Sequence, residues 1–157
     1  MDKIIGLGNA LVDVLATLKD DTLLDEMGLP KGSMQLIDDA KLQQINTRFS
    51  QMKTHQATGG SAGNAILGLA CLGAGTGFIG KVGNDFFGKQ LEDAIKEIGI
   101  NVTGLRKDDK VHTTLALVHT YPDGDRDFSF YRDPGADMML TEEEIPEELI
   151  LETRIFH

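Results

Sequence analysis

The sequence predicts an α/β protein built on a mostly parallel sheet, with a second, smaller β-sheet attached. Three observations carry this. Short apolar runs alternate with segments of helical period, the pattern of a parallel sheet. Glycine makes up 18 of 157 residues, and ten of these lie between Gly59 and Gly88, so tight turns and close backbone approaches concentrate in one region. Two strand-like segments, 11–37 and 111–132, break the alternation. The composition, 41% hydrophobic and 25% charged, is that of a globular protein.

Residues 3–7 (KIIGL) form a short apolar run ending at Gly8, a buried strand. Residues 11–18 (LVDVLATL) are rich in β-branched side chains and read as a strand. Residues 21–28 read as a helical turn closed by Gly28, and 33–37 as another short strand. Asp38 or Asp39 then caps a helix through about Met52, with Leu42, Ile45 and Phe49 on one face. Ser61 is the expected N-cap of a helix over 62–72, stopped by Gly73. A strand over 76–80 follows. Asn84 or Asp85 caps a helix whose apolar face carries Phe87, Leu91, Ala94, Ile95 and Ile98, ended by Gly99. Residues 111–120 and 127–132 flank Pro122-Asp123-Gly124, which is turn chemistry, so they read as a β-hairpin. Thr141 and Glu144 have capping-box spacing, and Pro146 limits this region to short helical pieces. Residues 154–157 begin another strand.

Charge and motifs exclude several classes. Residues 121–157 hold 11 acids and 3 bases, a net of −8, and the rest of the chain is near −2. Such a surface does not attract nucleic acid or an anionic membrane. No apolar run approaches the ~20 residues of a membrane span, and no signal-peptide pattern is seen, so a cytoplasmic location is expected. The single cysteine, Cys71, excludes an internal disulfide. Gly6-Leu7-Gly8 lacks the third glycine of a dinucleotide fingerprint, there is no P-loop, and the four histidines have no metal-ligand spacing.

The remaining candidate is Gly59-Gly60-Ser61-Ala62-Gly63-Asn64. Two glycines before a helix let a ligand approach its free N–H groups, and the Asn64 amide both donates and accepts. Such a site suits a polyhydroxylated ligand. Tight strand–helix packing with no ligand explains the same residues, and both readings stand.

The segment from Gly59 to Gly88, GGSAGNAILGLACLGAGTGFIGKVGNDFFG, resembles the N-terminal signature of the PfkB (ribokinase-like) carbohydrate kinases. The matching pieces are Gly-Gly-x-x-x-Asn, a small-residue helix, Leu-Gly, and Gly80-Lys81-Val82-Gly83-Asn84-Asp85-x-x-Gly88. The resemblance continues through Gly8-Asn9-Ala10-Leu11-Val12-Asp13, the 111–132 hairpin, and Gly135-Ala136-Asp137 with Leu140-Thr141. It implies the N-terminal part of a ribokinase-like three-layer sandwich with a small β-sheet lid, its strands near 11–18, 33–37, 111–120 and 127–132. It implies transfer of the γ-phosphoryl group of ATP, with Mg²⁺, to a hydroxyl of a sugar or nucleoside. By matching positions, Asn9, Asp13, Gln35, Gly59, Gly60, Ser61, Asn64 and Arg132 look like substrate contacts. Asp85 reads as a cap or as a ligand contact.

The family's C-terminal Gly-Ala-Gly-Asp type motif, which supplies the general base and an anion hole, has no counterpart in this sequence. The expectation is therefore the substrate-binding half of a longer kinase, with no catalytic base, cofactor site or metal site of its own. Residues 8–13 with Gln35 are similar to adenosine-kinase-like members, and 130–140 (FYRDPGADMML) to fructokinases. The longer second match favours a sugar. A non-catalytic sugar-binding or interaction module is the alternative of another class, and a homodimer through the lid is a further expectation.

Overall fold

The structure is a computed structural model and describes residues 3–121 and 123–157. The described residues divide into two compact units. The larger comprises the chain up to Val12, Thr58–Thr114 and Pro134–His157; the smaller comprises Asp13–Ala57 and Leu115–Asp133.

The large unit is built on four parallel strands. They are β1 (Lys3–Leu7), β5 (Gly75–Gly83), β6 (Asn101–Asp108) and β9 (Ile155–Phe156), in the order β6-β5-β1-β9. β5 is buried along almost its whole length, as a central parallel strand covered on both faces must be. Helix α3 (Ser61–Cys71) turns Ala62 and Ile66 inward. Helix α4 (Phe86–Glu97) buries Gly88, Leu91 and Ile95, and the Asp85 side chain caps it by accepting from the Gly88 N–H. Gly99, at φ +88, stops α4 in the left-handed conformation, and the Ile100 N–H closes back on the Ile95 carbonyl at 3.1 Å. Beyond the small unit come two 3-10 turns, Ala136–Met139 and Glu142–Glu144, and the short helix α5 (Glu147–Leu151).

Among the described residues the small unit is carried by a five-stranded sheet of order β3-β8-β7-β2-β4. Its strands are β2 (Leu11–Thr17), β3 (Met34–Leu36), β4 (Thr54–Gly59), β7 (Thr114–Thr120) and β8 (Arg126–Tyr131). β7 and β8 pair antiparallel as a hairpin, and β3 adds to β8 in parallel. Helices α1 (Thr22–Met27) and α2 (Asp39–Phe49) bury Leu24, Met27, Ile45 and Phe49.

The structure differs from the sequence expectations at three places. Ser61 is not a cap: it is the first helical residue, and Gly60 occupies the cap position without a side-chain bond. The hairpin strand begins at Thr114 rather than near residue 111, because Thr113 is held by the Asp85 carboxylate and the Gly83 N–H. β4 and β6 are strands that no periodicity announced.

Candidate functional site

The site is built where β1 ends. Gly8 donates its N–H to the Ile79 carbonyl at 3.1 Å, and the chain then turns through Asn9 and Ala10. Two glycines close on this turn. Gly60 has φ +91, and a Cβ there would lie 2.4 Å from the Asn9 carbonyl oxygen; a Cβ on Gly80 would lie 3.0 Å from the Gly8 carbonyl oxygen. Only glycine meets both demands at position 60, the positive φ and the absence of a side chain. Gly8 in turn sits under α3, where a Cβ would come within 2.7 Å of the Ala62 Cβ.

The first turn of α3 is thereby laid against the Asn9 turn. The Asn64 N–H makes the first helical bond, 2.9 Å to the Gly60 carbonyl, and no side chain caps the N–H groups before it. Those groups carry the positive end of the helix dipole. The close packing uses the glycines and leaves the side chains of Asn9, Ser61 and Asn64 exposed. Tight packing therefore accounts for the glycines but not for the polar side chains beside them. Together these offer donors and acceptors within one turn, the mixed chemistry that hydroxyl groups require.

The structure brings Asn9 and Gly60 together, with Gly59, Ser61 and Asn64 on the same turn. Asp13, Gln35 and Arg132 belong to the small unit. Asp13 is half-buried on β2, and burial pushes its carboxyl above the usual range. Gln35 lies in register with Ser129. Arg132 follows β8, half-buried. A groove of about 650 Å³ in the small unit, with Lys19, Glu26, Arg48 and Lys53 in its lining, includes none of these residues.

Sequence reading missed the polar groups that fix this architecture. Buried Lys81 donates to Glu144 at 2.8 and 3.0 Å and to the Met139 carbonyl at 3.1 Å, and lies 3.2 Å from Asp108. The Glu144 carboxylate, ahead of the opposing effect of burial, holds the Lys81 ammonium above its usual range. In the small unit, buried Asp127 accepts from the N–H groups of Gly32 and Ser33 and from the Tyr121 hydroxyl. Burial, ahead of the Asp127 carboxylate, raises the Tyr121 hydroxyl well above its usual range. No motif signals either cluster, since the partners are distant in the chain. Among the described residues no group of three His, Cys, Asp or Glu side chains could hold a metal ion, and no helix is long and apolar enough to cross a membrane.

Comparison with known proteins yields consistent matches. The profile of the pfkB family carbohydrate kinases matches residues 32–157. Fructokinase-2 of Oryza sativa subsp. japonica is 42% identical over 102 residues, covering 65% of this chain and 30% of the relative. The adenosine kinase structure from Sinorhizobium meliloti is similar with a TM-score of 0.78 and 29% identity, covering 99% of this chain and 46% of that one. A fructokinase structure from Xylella fastidiosa with bound ATP gives a TM-score of 0.72 and 28% identity, covering 99% of this chain and 38% of that one. The chain thus spans under half the length of these relatives.

Proposed function

Because the chain belongs to the pfkB family of carbohydrate kinases, we propose that the protein transfers the γ-phosphoryl group of ATP to a hydroxyl of a fructose- or ribose-like sugar, and that this chain supplies acceptor binding. The single observation that carries the role of this chain is the contact of Gly60 with the Asn9 carbonyl, which sets two polar turns side by side. In this reading the Asn9 and Asn64 amides and the Ser61 hydroxyl bind and orient acceptor hydroxyls. The N–H groups at the start of α3 donate to their oxygens, with Gly59 and Gly60 admitting the acceptor to the backbone. Asp13, Gln35 and Arg132 enter through the family resemblance as contacts from the small unit. No residue of this chain is assigned the general base, and no side chain here is assigned to Mg²⁺. Holding the acceptor in one orientation is itself a large part of phosphoryl-transfer catalysis.

The fructokinases among the relatives support a sugar as acceptor. The adenosine kinase with a TM-score of 0.78 supports a nucleoside as the second reading. Assay of the full-length protein with ATP against fructose, ribose and adenosine separates them: turnover of a sugar is expected, and turnover of adenosine alone overturns the preference. Met34 and Leu36, each 71% exposed on a strand at the edge of the small sheet, support a homodimer through that sheet. Sedimentation equilibrium is expected to give a dimer that Leu36→Lys dissociates.

A further inference from the structure

The segment Gly83-Asn84-Asp85-x-x-Gly88 is part of the family signature, yet the acceptor site does not use it. Its contacts converge on Thr113. The chain leaves the large unit after Thr114 to form most of β7, and returns at Pro134. Thr113 and Thr114 are buried, 1% and 0% exposed. The Thr113 N–H donates to Asp85 Oδ2 at 2.7 Å, and its hydroxyl donates to Asp85 Oδ1 at 2.7 Å. The same hydroxyl accepts from the Gly83 N–H at 3.0 Å. Asp85 Oδ1 also takes the Gly88 N–H at 2.8 Å.

The glycines are there for space, not for an unusual φ. A Cβ on Gly83 would lie 2.5 Å from the Thr113 nitrogen, and one on Gly88 would lie 2.8 Å from the Thr113 hydroxyl and 2.1 Å from the Gly83 carbonyl. A helix cap alone needs one carboxylate oxygen. Here both oxygens are engaged, and two of the three bonds go to a residue 28 positions away. Burial opposes ionisation of Asp85, but these bonds outweigh it and keep the carboxyl below its usual range. The returning chain is tied to the departing one at the same level: the Ala136 N–H donates to the His112 carbonyl at 2.8 Å, and the Thr114 hydroxyl donates to buried Asp137.

We propose that this motif is the anchor of the hinge that carries the small sheet, with Asp85 and Thr113 as positioning residues for acceptor binding. The proposal rests on the kinase reading, in which the small unit contributes Asp13, Gln35 and Arg132. β7 begins at Thr114, next to the anchored residue; β8 pairs with β7, and β3 with β8.

The test uses the full-length protein. Thr113→Val keeps the shape of the side chain and removes its hydroxyl; Thr113→Ser keeps the hydroxyl. In Thr113→Val, amide hydrogen exchange should rise at least about tenfold over 115–133, while 58–112, apart from Gly83 whose N–H loses its acceptor, stays within about twofold of the parent. The KM for sugar should rise about tenfold with the KM for ATP unchanged. Thr113→Ser should restore both. Equal acceleration of exchange in both units, or an unchanged KM for sugar, overturns the proposal. If Thr113→Val does not fold, Asp85→Asn, which keeps one acceptor oxygen for the Gly88 N–H, is read by the same criteria. A parent protein that phosphorylates neither sugar nor nucleoside defeats the kinase reading and the acceptor-binding role with it, while segment-resolved exchange still decides whether the motif anchors the hinge.

Discussion

Both units bury polar groups, but they neutralise them differently. In the large unit the Lys81 ammonium is met by two carboxylates and a carbonyl, and its side chain is 8% exposed. In the small unit His119 is 0% exposed, and neither ring nitrogen has a hydrogen-bond partner among the described residues. Its ring packs edge-on against Phe49, with centroids 5.5 Å apart. A buried ammonium cannot shed its charge cheaply, so it must be surrounded. An imidazole can stay neutral and pack as an aromatic. The large unit thus encloses a cation that must remain paired, while the small unit, besides the Asp127 carboxylate held by N–H and O–H donors, encloses a ring that must remain uncharged.

The strongest way to break this contrast is Lys81→Met. It leaves Asp108 and Glu144 facing each other without their cation, and removing one partner of a buried pair should destabilise the large unit by about 3 kcal/mol. Denaturant unfolding followed by hydrogen exchange at β5 and β6 measures it. A loss under about 1 kcal/mol would mean that Lys81 behaves as a surface charge.

Gly60→Ala follows in size. It combines a positive φ with a Cβ 2.4 Å from the Asn9 carbonyl oxygen, so a cost of roughly 2–3 kcal/mol is expected. Acceptor binding should be lost beyond that cost, because the two turns can no longer touch. Calorimetric titration with the sugar checks this, and unchanged affinity would separate the contact from the site.

The small unit is probed by pH. Burial, against the pull of Asp127, lowers the His119 pKa below its usual value. The unfolded chain then binds a proton that the folded chain refuses, so stability falls as pH drops below about 6.5. Asp85 works in a lower window: its depressed carboxyl contributes stability that is lost only as pH falls below about 4. Melting curves at about pH 7, 5 and 3 should separate the parent from His119→Phe, which removes the upper window and keeps the lower one.

How much of this was legible in the sequence depended on where each residue's partners lie. Helix α4 was readable because its apolar face and the Asp85 cap are local. The Gly60–Asn9 contact was foreshadowed by the paired glycines, but the contact itself is tertiary. β6 and β4 escaped because they are edge strands in their sheets, with sequences NVTGLRKD and THQATG. An edge strand facing water needs no apolar alternation. Ser61 misled because a serine before an apolar run is the standard capping signal, whereas the geometry demanded glycine at the cap itself. Lys81 was invisible because its carboxylate partner Glu144 lies 63 residues away.

The smallest effect sharpens the reading of the glycine-dense region. Gly68 sits inside α3, exposed, and a Cβ there would meet nothing within 4 Å. Unlike Gly60, it has no contact that requires it, and glycine in a helix interior costs about 0.5–1 kcal/mol relative to alanine. Gly68→Ala should therefore raise stability by that amount and leave acceptor binding untouched, as a thermal melt and a titration on one preparation would record. A loss of stability would mean that the exposed face of α3 is packed against something in the full-length protein, and the glycine would then mark a close approach just as Gly60 does.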